Sequence, residues 1–268
     1  MAKPCESEYL DLVIQAIQVC AEYRPKFGHH GRAGLTWEEF RAVYGSDAFC
    51  SWFGLDHPLM YAAHRAAGGM TSLYRQIGIG CQRLFSRIVR DALDIDAEDA
   101  QWSYRVPLHG GRTRRLSLDA RIPLRKLRRG PRADAARSWL AECARRLGLA
   151  GQAARTLQGA VFEVRQGYKS KDAKRQNADL ANAANAYANR YLPVMALLST
   201  QIDADVADRY RRARWLMLTG GLAGSACDST YVFMRQVIGF DLGAFFERNA
   251  PMLRATIEEV LGRLLRET

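Results

Sequence analysis

An apolar run bracketed by glycines, an alanine-rich stretch and a second apolar run follow one another between residues 159 and 200. The first run, Gly159–Gly167, has the length and composition of a short strand, and so does the last, Leu192–Thr200. The alanine-rich stretch between them, at about residues 172–190, is typical of a long helix. Strands that alternate with helices predict an α/β core in this part of the chain.

Two more strand-like runs precede this unit. Trp102–Leu108 and Arg114–Leu124 show the alternation of apolar and polar residues that a half-buried strand requires. They are joined by His109-Gly110-Gly111-Arg112, whose two glycines suit a tight turn. The pattern predicts a β-hairpin ahead of the α/β unit.

Both ends of the chain carry helical patterns. Apolar residues recur at helical spacing in Glu8–Tyr23 and Thr71–Leu93, and Thr36-Trp37-Glu38-Glu39 resembles a capping box that opens another helix. Beyond residue 220 the chain reads as helices separated by Gly239 and by Asn249-Ala250-Pro251.

The chain has 268 residues and neither internal repeats nor an obvious linker, so we predict a single domain over residues 1–268. Residues 1–100 form its mostly helical N-terminal part, residues 101–220 its α/β core, and residues 221–268 its C-terminal helices. The expected fold class is α/β, with a central mixed sheet flanked by helices and with helical additions at both ends.

The formal net charge of +11 favours a polyanionic partner. Arginine and lysine concentrate between residues 112 and 132 and again between Lys169 and Arg175. A membrane-surface helix would need one continuous basic face, and Gly130-Pro131 interrupts the first of these regions. We therefore expect nucleic acid rather than a membrane as the partner.

The chain has no uninterrupted apolar run long enough to span a membrane and no signal-peptide pattern at its N-terminus, so a cytoplasmic location is expected. The six cysteines show no CxxC pair and no histidine at zinc-ligand spacing. Neither a disulfide framework nor a zinc site is predicted from them, and reduced, mostly buried thiols are expected.

A carboxylate lies at the centre of each of two successive strands. Alternation within Arg114–Leu124 puts Asp119 on the face opposite the apolar residues, and Glu163 occupies the middle of Gly159–Gly167. Acidic residues are unfavourable at strand centres, and two of them on successive strands would repel each other. Something is expected to offset that repulsion.

A divalent cation between Asp119 and Glu163 is the simplest candidate. Mg²⁺ takes carboxylate oxygens and keeps several waters for a substrate phosphate and an attacking hydroxide. The structural alternative is that both carboxylates only form ion pairs with neighbouring arginines.

An acid-bearing strand, a strand with Glu-x-basic, a helix and an apolar strand, in this order, resemble the core of the PD-(D/E)xK nucleases. The resemblance implies that Asp119 and Glu163 bind Mg²⁺ and that a basic residue assists catalysis. Leu118 stands where the motif has proline, and Arg165 stands where it has lysine. Arginine hardly loses its proton, so Arg165 could hold phosphate charge but not act as a general base. Lys169 is the second candidate, if Gly167 kinks the strand.

The block from Phe162 to Asp179 also resembles type II restriction endonucleases, and the ApaLI-like group in particular. The likeness continues through Tyr191–Met195 to Trp215–Leu218 and covers about a third of the chain. It implies a bacterial or archaeal homodimer that cuts double-stranded DNA at a six-base palindrome, GTGCAC in that group, together with a companion methyltransferase.

Polar residues of the long helix suggest DNA contacts. Basic side chains at the start of a helix oppose its dipole, which favours a role in binding phosphate. The candidates for DNA binding are Lys171, Lys174, Arg175 and Asn177. Asn182, Asn185 and Asn189 share one side of the helix, where a solvated face, a dimer contact or hydrogen bonding to DNA would each explain them.

Two rivals remain open at this point. The first is another nuclease of the same fold, such as a repair or structure-specific enzyme, which would cut without a fixed recognition sequence. The second is a non-catalytic nucleic-acid-binding protein whose acidic residues are structural. That protein would bind DNA without Mg²⁺ and would leave both strands intact.

Overall fold

The computed structural model describes residues 5–26, 34–107, 112–149, 151–167 and 173–265. These residues form two compact units. The sheet unit comprises residues 5–9 and 81–248 and holds every described strand. The helical unit comprises residues 10–80 and 249–265, and its described residues are helices and their connections.

Six strands are present in the described part of the chain. They are β1 (Trp102–Pro107), β2 (Thr113–Leu118), β3 (Ala120–Pro123), β4 (Gly159–Arg165), β5 (Tyr191–Leu197) and β6 (Leu216–Leu218). The hairpin β1–β2 is antiparallel and forms a sheet of its own. The other four strands form a mixed sheet in the order β3-β4-β5-β6, in which β3 is antiparallel to β4 and the remaining pairs are parallel.

Helices make up most of the rest. They are α1 (Glu6–Gln18), α2 (Trp37–Ser46), α3 (Ala48–Trp52), α4 (Pro58–Leu93), α5 (Ala97–Ala100), α6 (Pro131–Arg146), α7 (Gly151–Arg155), α8 (Ala173–Ala188), α9 (Ala204–Arg212), α10 (Thr230–Phe233) and α11 (Leu242–Leu265). A π turn, Met234–Ile238, follows α10. None of the helices in the described ranges combines the length and the apolar character that a membrane crossing requires.

This architecture confirms the predicted α/β class, with a mixed sheet between helices. The crossover β4-α8-β5 lies where the sequence predicts strand, helix and strand, and the predicted hairpin is formed by β1 and β2. Most of its turn, at residues 108–111, lies outside the described residues. The capping box of α2 is confirmed as well, because Glu39 N donates to Thr36 Oγ1 and Thr36 N donates to Glu39 Oε2.

The prediction of one continuous strand over residues 114–124 is wrong at Asp119. The strand stops at Leu118 and resumes at Ala120, so that β2 pairs with β1 whereas β3 pairs with β4. The carbonyl oxygen of Asp119 accepts a hydrogen bond from the hydroxyl of Ser86 in α4, at 2.7 Å. Because a side chain takes this carbonyl, the strand ladder is interrupted and the chain passes from one sheet to the other.

The prediction of a helix boundary at Asn249-Ala250-Pro251 is wrong too, since α11 runs through Pro251. Proline inside a helix removes one main-chain hydrogen bond and costs about 3 kcal/mol. Buried apolar residues in both halves of α11, such as Phe245 and Val260, offset that cost.

The two faces of the mixed sheet are covered by different elements. On one face Phe162 of β4 contacts the rings of Phe85, Trp139 and Phe233, with centroids 5.4 to 6.1 Å apart. The opposite face packs against α8, α9 and the hairpin through a second cluster of buried residues. This cluster comprises Trp102, Leu118, Val161, Ala183, Ala186, Met195, Leu197, Val206, Tyr210 and Trp215. Glu163 and Arg165 share the second face with Val161, because side chains alternate along a strand.

The start of β4 leaves no room for a side chain. Gly159 pairs with Pro123 of β3, its φ is +156°, and a Cβ at this position would overlap the carbonyl oxygen of Ile122. We expect Gly159→Ala to lower the free energy of unfolding by about 2 to 4 kcal/mol, since both the φ and the clash oppose a side chain. Urea denaturation measures this. Gly78→Ala is the control, because no described atom lies within 4 Å of a Cβ there. Equal stabilities of the two variants would contradict the expectation.

Candidate metal site

Asp119 is fixed by main-chain hydrogen bonds at the junction of β2 and β3. Its N–H donates to Phe162 O, and its Oδ2 accepts from Val164 N, both at 2.8 Å. Two bonds to β4 therefore hold the carboxylate beside that strand, next to Glu163. The interruption of the strand at Asp119 thus serves to aim this side chain at β4.

Glu163 lies on β4 with only 12% of its side chain exposed. Its Oε1 accepts hydrogen bonds from Arg165 Nε at 3.2 Å and from Arg165 Nη2 at 3.0 Å. Arg165 is itself buried, with 6% of its side chain exposed. The predicted alternative of a structural ion pair is therefore realised for Glu163.

A third carboxylate, Asp179 of α8, completes the cluster. Arg165 Nη2 lies 2.8 Å from each of its oxygens, and the hydroxyl of Tyr210 donates to its Oδ2. Sequence analysis missed Asp179. The available signal was that it is the only acidic residue in α8, an otherwise alanine-rich helix. One buried guanidinium thus serves two buried carboxylates, and we call Asp119, Glu163, Arg165 and Asp179 the carboxylate cluster.

The protein environment disfavours the charged forms of Asp119 and Glu163. Burial raises the pKa of Asp119 to about 6, although the Val164 hydrogen bond and the nearby Arg165 and Arg175 act in the opposite direction. Burial, followed by repulsion from Asp119, raises the pKa of Glu163 to about 7, against the pull of Arg165. The two carboxylates are close enough to repel each other in a poorly solvated place.

These residues fit a cation such as Mg²⁺. Among the described residues no hydrogen-bond donor reaches Asp119 Oδ1 or Glu163 Oε2, so each carboxylate keeps one oxygen for a ligand. A divalent ion would offset the cost of burying both charged carboxylates and the repulsion that Asp119 exerts on Glu163. The described residues contain no group of three histidine, cysteine or acidic side chains placed to hold a metal. Two carboxylates suffice for Mg²⁺ when a substrate phosphate and water complete its shell.

The predicted DNA-binding residues are placed only in part. Arg175, at the start of α8, is near enough to Asp119 for its charge to oppose the rise in the pKa of that carboxyl. Asn177 Oδ1 accepts from Arg209 Nη2 of α9 at 2.7 Å, which ties the start of α8 to α9. Lys169 and Lys171 lie outside the described residues, and Lys174 is described only as a main-chain residue of α8.

The three asparagines of α8 differ in their surroundings. Asn182 is buried, and its Oδ1 accepts from the hydroxyl of Tyr104 in β1 at 2.5 Å. Asn185 is half-buried and Asn189 is exposed, and they donate to the helix carbonyls of Ala181 and Asn185, respectively. The hairpin therefore supplies the partner of Asn182, whereas Asn185 and Asn189 bond to carbonyls of their own helix.

The pH dependence of stability follows from the two raised pKa values. Between about pH 4 and pH 7 the folded protein binds more protons than the unfolded chain, so its stability falls as the pH rises through this window. Without metal, we expect a loss on the order of 2 kcal/mol from about pH 5 to pH 8, and Mg²⁺ should restore most of it at pH 8. Urea denaturation at both pH values, with a chelator or with Mg²⁺, measures the effect. The double variant D119N/E163Q should lose this part of the pH dependence, and an unchanged slope would contradict the assignment.

Scans with protein-family models, with curated protein sequences and with solved structures find no significant match to this chain.

Proposed function

We propose that the chain is a Mg²⁺-dependent nuclease of the PD-(D/E)xK type that hydrolyses phosphodiesters of double-stranded DNA. One observation carries the proposal: Asp119, at the break between β2 and β3, and Glu163 of the adjacent strand β4 repel each other in a poorly solvated place, and each keeps one carboxylate oxygen without a donor among the described residues. Such a pair gains from a divalent cation.

The order of the elements around the pair supports the same assignment. Asp119 precedes β3, Glu163 lies on the antiparallel neighbour β4, and β4 continues through α8 into the parallel strand β5. This is the order of strand, strand, helix and strand on which the resemblance to PD-(D/E)xK nucleases rests. The net charge of +11 fits a DNA substrate.

Each residue of the cluster has a distinct proposed role. Asp119 Oδ1 and Glu163 Oε2 would hold the ion, which supplies an acidified water and neutralises phosphate charge when bound. Arg165 orients Glu163, because its guanidinium donates to Glu163 Oε1 and is anchored by Asp179. With Arg165 engaged in this way, Lys169 is the proposed partner of the charge that develops on the phosphate.

The basic residues at the start of α8 are the proposed phosphate contacts. Arg175 is near Asp119, so a phosphate bound there would lie close to the carboxylate pair. Lys171 and Lys174 precede or open the same helix. Their contribution should weaken with salt, as contacts to the DNA backbone do.

We further propose that this nuclease is a type II restriction endonuclease. One site serves one strand, so cutting both strands of a palindrome calls for a homodimer whose two-fold axis matches that of the DNA. The GTGCAC site and the companion methyltransferase follow from the resemblance of the block at residues 162–179. A nuclease of the same fold without a fixed site stays open beside it.

A second candidate function is a DNA-binding protein without catalysis. The observation that favours it is the ion-pair arrangement of Glu163, Arg165 and Asp179, which can be structural by itself. This candidate differs from the nuclease in needing no cation at Asp119.

Incubation of the purified protein with a long unmethylated duplex, with and without about 10 mM Mg²⁺, separates these functions. Discrete fragments that require Mg²⁺ are the expected result, and their ends give the recognition site and the cleavage offset. A continuous smear of DNA fragments would overturn the restriction-endonuclease assignment and favour a nuclease without a fixed site. DNA that is bound but intact would overturn the catalytic proposal.

A further inference from the structure

One face of α6 touches three successive residues of the loop between β6 and α10. Trp139 Nε1 donates to Ala226 O at 2.8 Å, and Arg146 Nη1 donates to Asp228 Oδ2 at 3.0 Å. Between these two contacts, Cys143 faces Cys227. Positions 139, 143 and 146 are spaced so that they share one side of a helix. The two cysteines are therefore held in register from both sides.

The loop is fixed to Thr219, the residue that follows β6, and to its own neighbours. Asp228 O accepts hydrogen bonds from Thr219 N at 2.8 Å and from Thr219 Oγ1 at 3.1 Å. The hydroxyl of Ser225 accepts from Cys227 N at 3.2 Å. Cys227 thus lies between Ala226 and Asp228, whose carbonyl oxygens both accept hydrogen bonds, and it faces a cysteine in the last turn of α6.

The two thiols are in direct contact. Cys143 is fully buried and Cys227 is 6% exposed, and their sulfurs are 2.8 Å apart. A disulfide bond is about 2.05 Å long, so a displacement below 1 Å separates this contact from a bond. The Cys143 thiol donates to Cys227, which lowers the pKa of Cys227, and Arg146 acts in the same direction. Cys227 is accordingly the thiol that ionises first.

We propose that Cys143 and Cys227 are an oxidation site at which a peroxide converts two neighbouring thiols into an intramolecular disulfide that joins α6 to the loop before α10. The sequence alone gave no reason to pair any of the six cysteines, because these two are 84 positions apart and follow no spacing motif.

The reaction balances with hydrogen peroxide as the oxidant. The Cys227 thiolate attacks one peroxide oxygen, the O–O bond breaks, and hydroxide leaves as water after taking up a proton. The product is a sulfenic acid on Cys227. The Cys143 sulfur then attacks the Cys227 sulfur, the S–O bond breaks, and a second water leaves with the Cys143 proton. Two thiols lose two electrons in all, and one peroxide becomes two waters.

The crosslink would close a long loop of the sheet unit. The segment between the two cysteines contains β4, α8, β5 and β6, and with them most of the carboxylate cluster. Restricting the unfolded chain over this length stabilises the folded state. We expect the oxidised protein to melt about 5 to 10 °C above the reduced protein.

The test uses the full chain, reduced and then treated with a small molar excess of hydrogen peroxide. After the remaining thiols are blocked, trypsin places Cys143 in the peptide 138–145 and Cys227 in the peptide 215–235. We expect these two peptides to appear as one disulfide-linked species that dithiothreitol separates. Treatment of the oxidised protein with dithiothreitol should lower its melting temperature to that of the reduced protein.

Cys143→Ser and Cys227→Ser should each abolish the linked species, whereas Cys81→Ser, at a buried cysteine elsewhere in the sheet unit, should leave it unchanged. Alkylation of both cysteines after denaturation of the peroxide-treated protein would overturn the proposal. So would conversion of Cys227 to a sulfinic acid with Cys143 still free. The test needs no DNA cleavage, so its outcome is independent of the proposed nuclease.

Discussion

Asp119→Asn and Glu163→Gln are each expected to reduce Mg²⁺-dependent DNA cleavage by at least about a thousandfold. Either amide removes a negative ligand from the proposed ion while the shape of the side chain is retained. The amide oxygens can still accept the bonds from Val164 N and from Arg165. The loss should therefore concern cation binding rather than folding, and it is measured as the rate of fragment formation at saturating Mg²⁺.

Stability provides the control for that result. The pKa values of both carboxyls are raised in the folded protein, so neutral isosteres relieve an unfavourable charge. We expect either variant to be at least as stable as the parent at pH 8 without metal. Glu142→Gln is the matched control on cleavage, because Glu142 is a partly exposed acid on α6 that pairs with Arg145 and Arg146. Cleavage that survives both D119N and E163Q would remove the metal site from the proposal.

The sequence predicted most of the strands because their signal is local. Alternation in residues 102–124 and the glycine-bracketed run at residues 159–167 each depend on neighbours along the chain. The break at Asp119 depends instead on Ser86, 33 positions away in α4, and on Phe162 and Val164 of β4. Contacts of this kind come from the assembled fold, so no window of sequence contains them.

The same distinction between local signals and long-range contacts applies to the residues of the candidate site. Asp119 and Glu163 were predictable as candidates, because an acid within a strand-like run is unusual, although Asp119 lies at a break between two strands. Asp179 was not, since its importance comes from Arg165 and Tyr210, which reach it from β4 and α9. The same holds for Asn182, whose partner Tyr104 lies 78 positions away in β1. The role of a polar residue in a helix therefore depends on the element that packs over it.

Asp179 gives the largest expected effect on stability. Its side chain is 4% exposed and forms the second carboxylate partner of Arg165, which is 6% exposed. Removing one partner of a buried ion pair leaves a poorly compensated charge and costs about 3 to 5 kcal/mol. Asp179→Ala also removes the acceptor of the Tyr210 hydroxyl. We expect a loss of unfolding free energy of that size, measured by urea denaturation.

Asp208→Ala is the matched control, because Asp208 also pairs with an arginine, Arg211, but at the surface. An exposed pair contributes at most about 1 kcal/mol, so this variant should change stability little. If Asp179→Ala cost no more than Asp208→Ala, the buried Arg165 would not depend on Asp179. Asp179→Asn should lie between the two, since it keeps an acceptor and loses the charge. In Asp179→Asn, Glu163 is the remaining charged partner of Arg165. If Arg165 orients Glu163 for the ion, the rate of DNA cleavage should fall by more than the change in unfolding free energy accounts for.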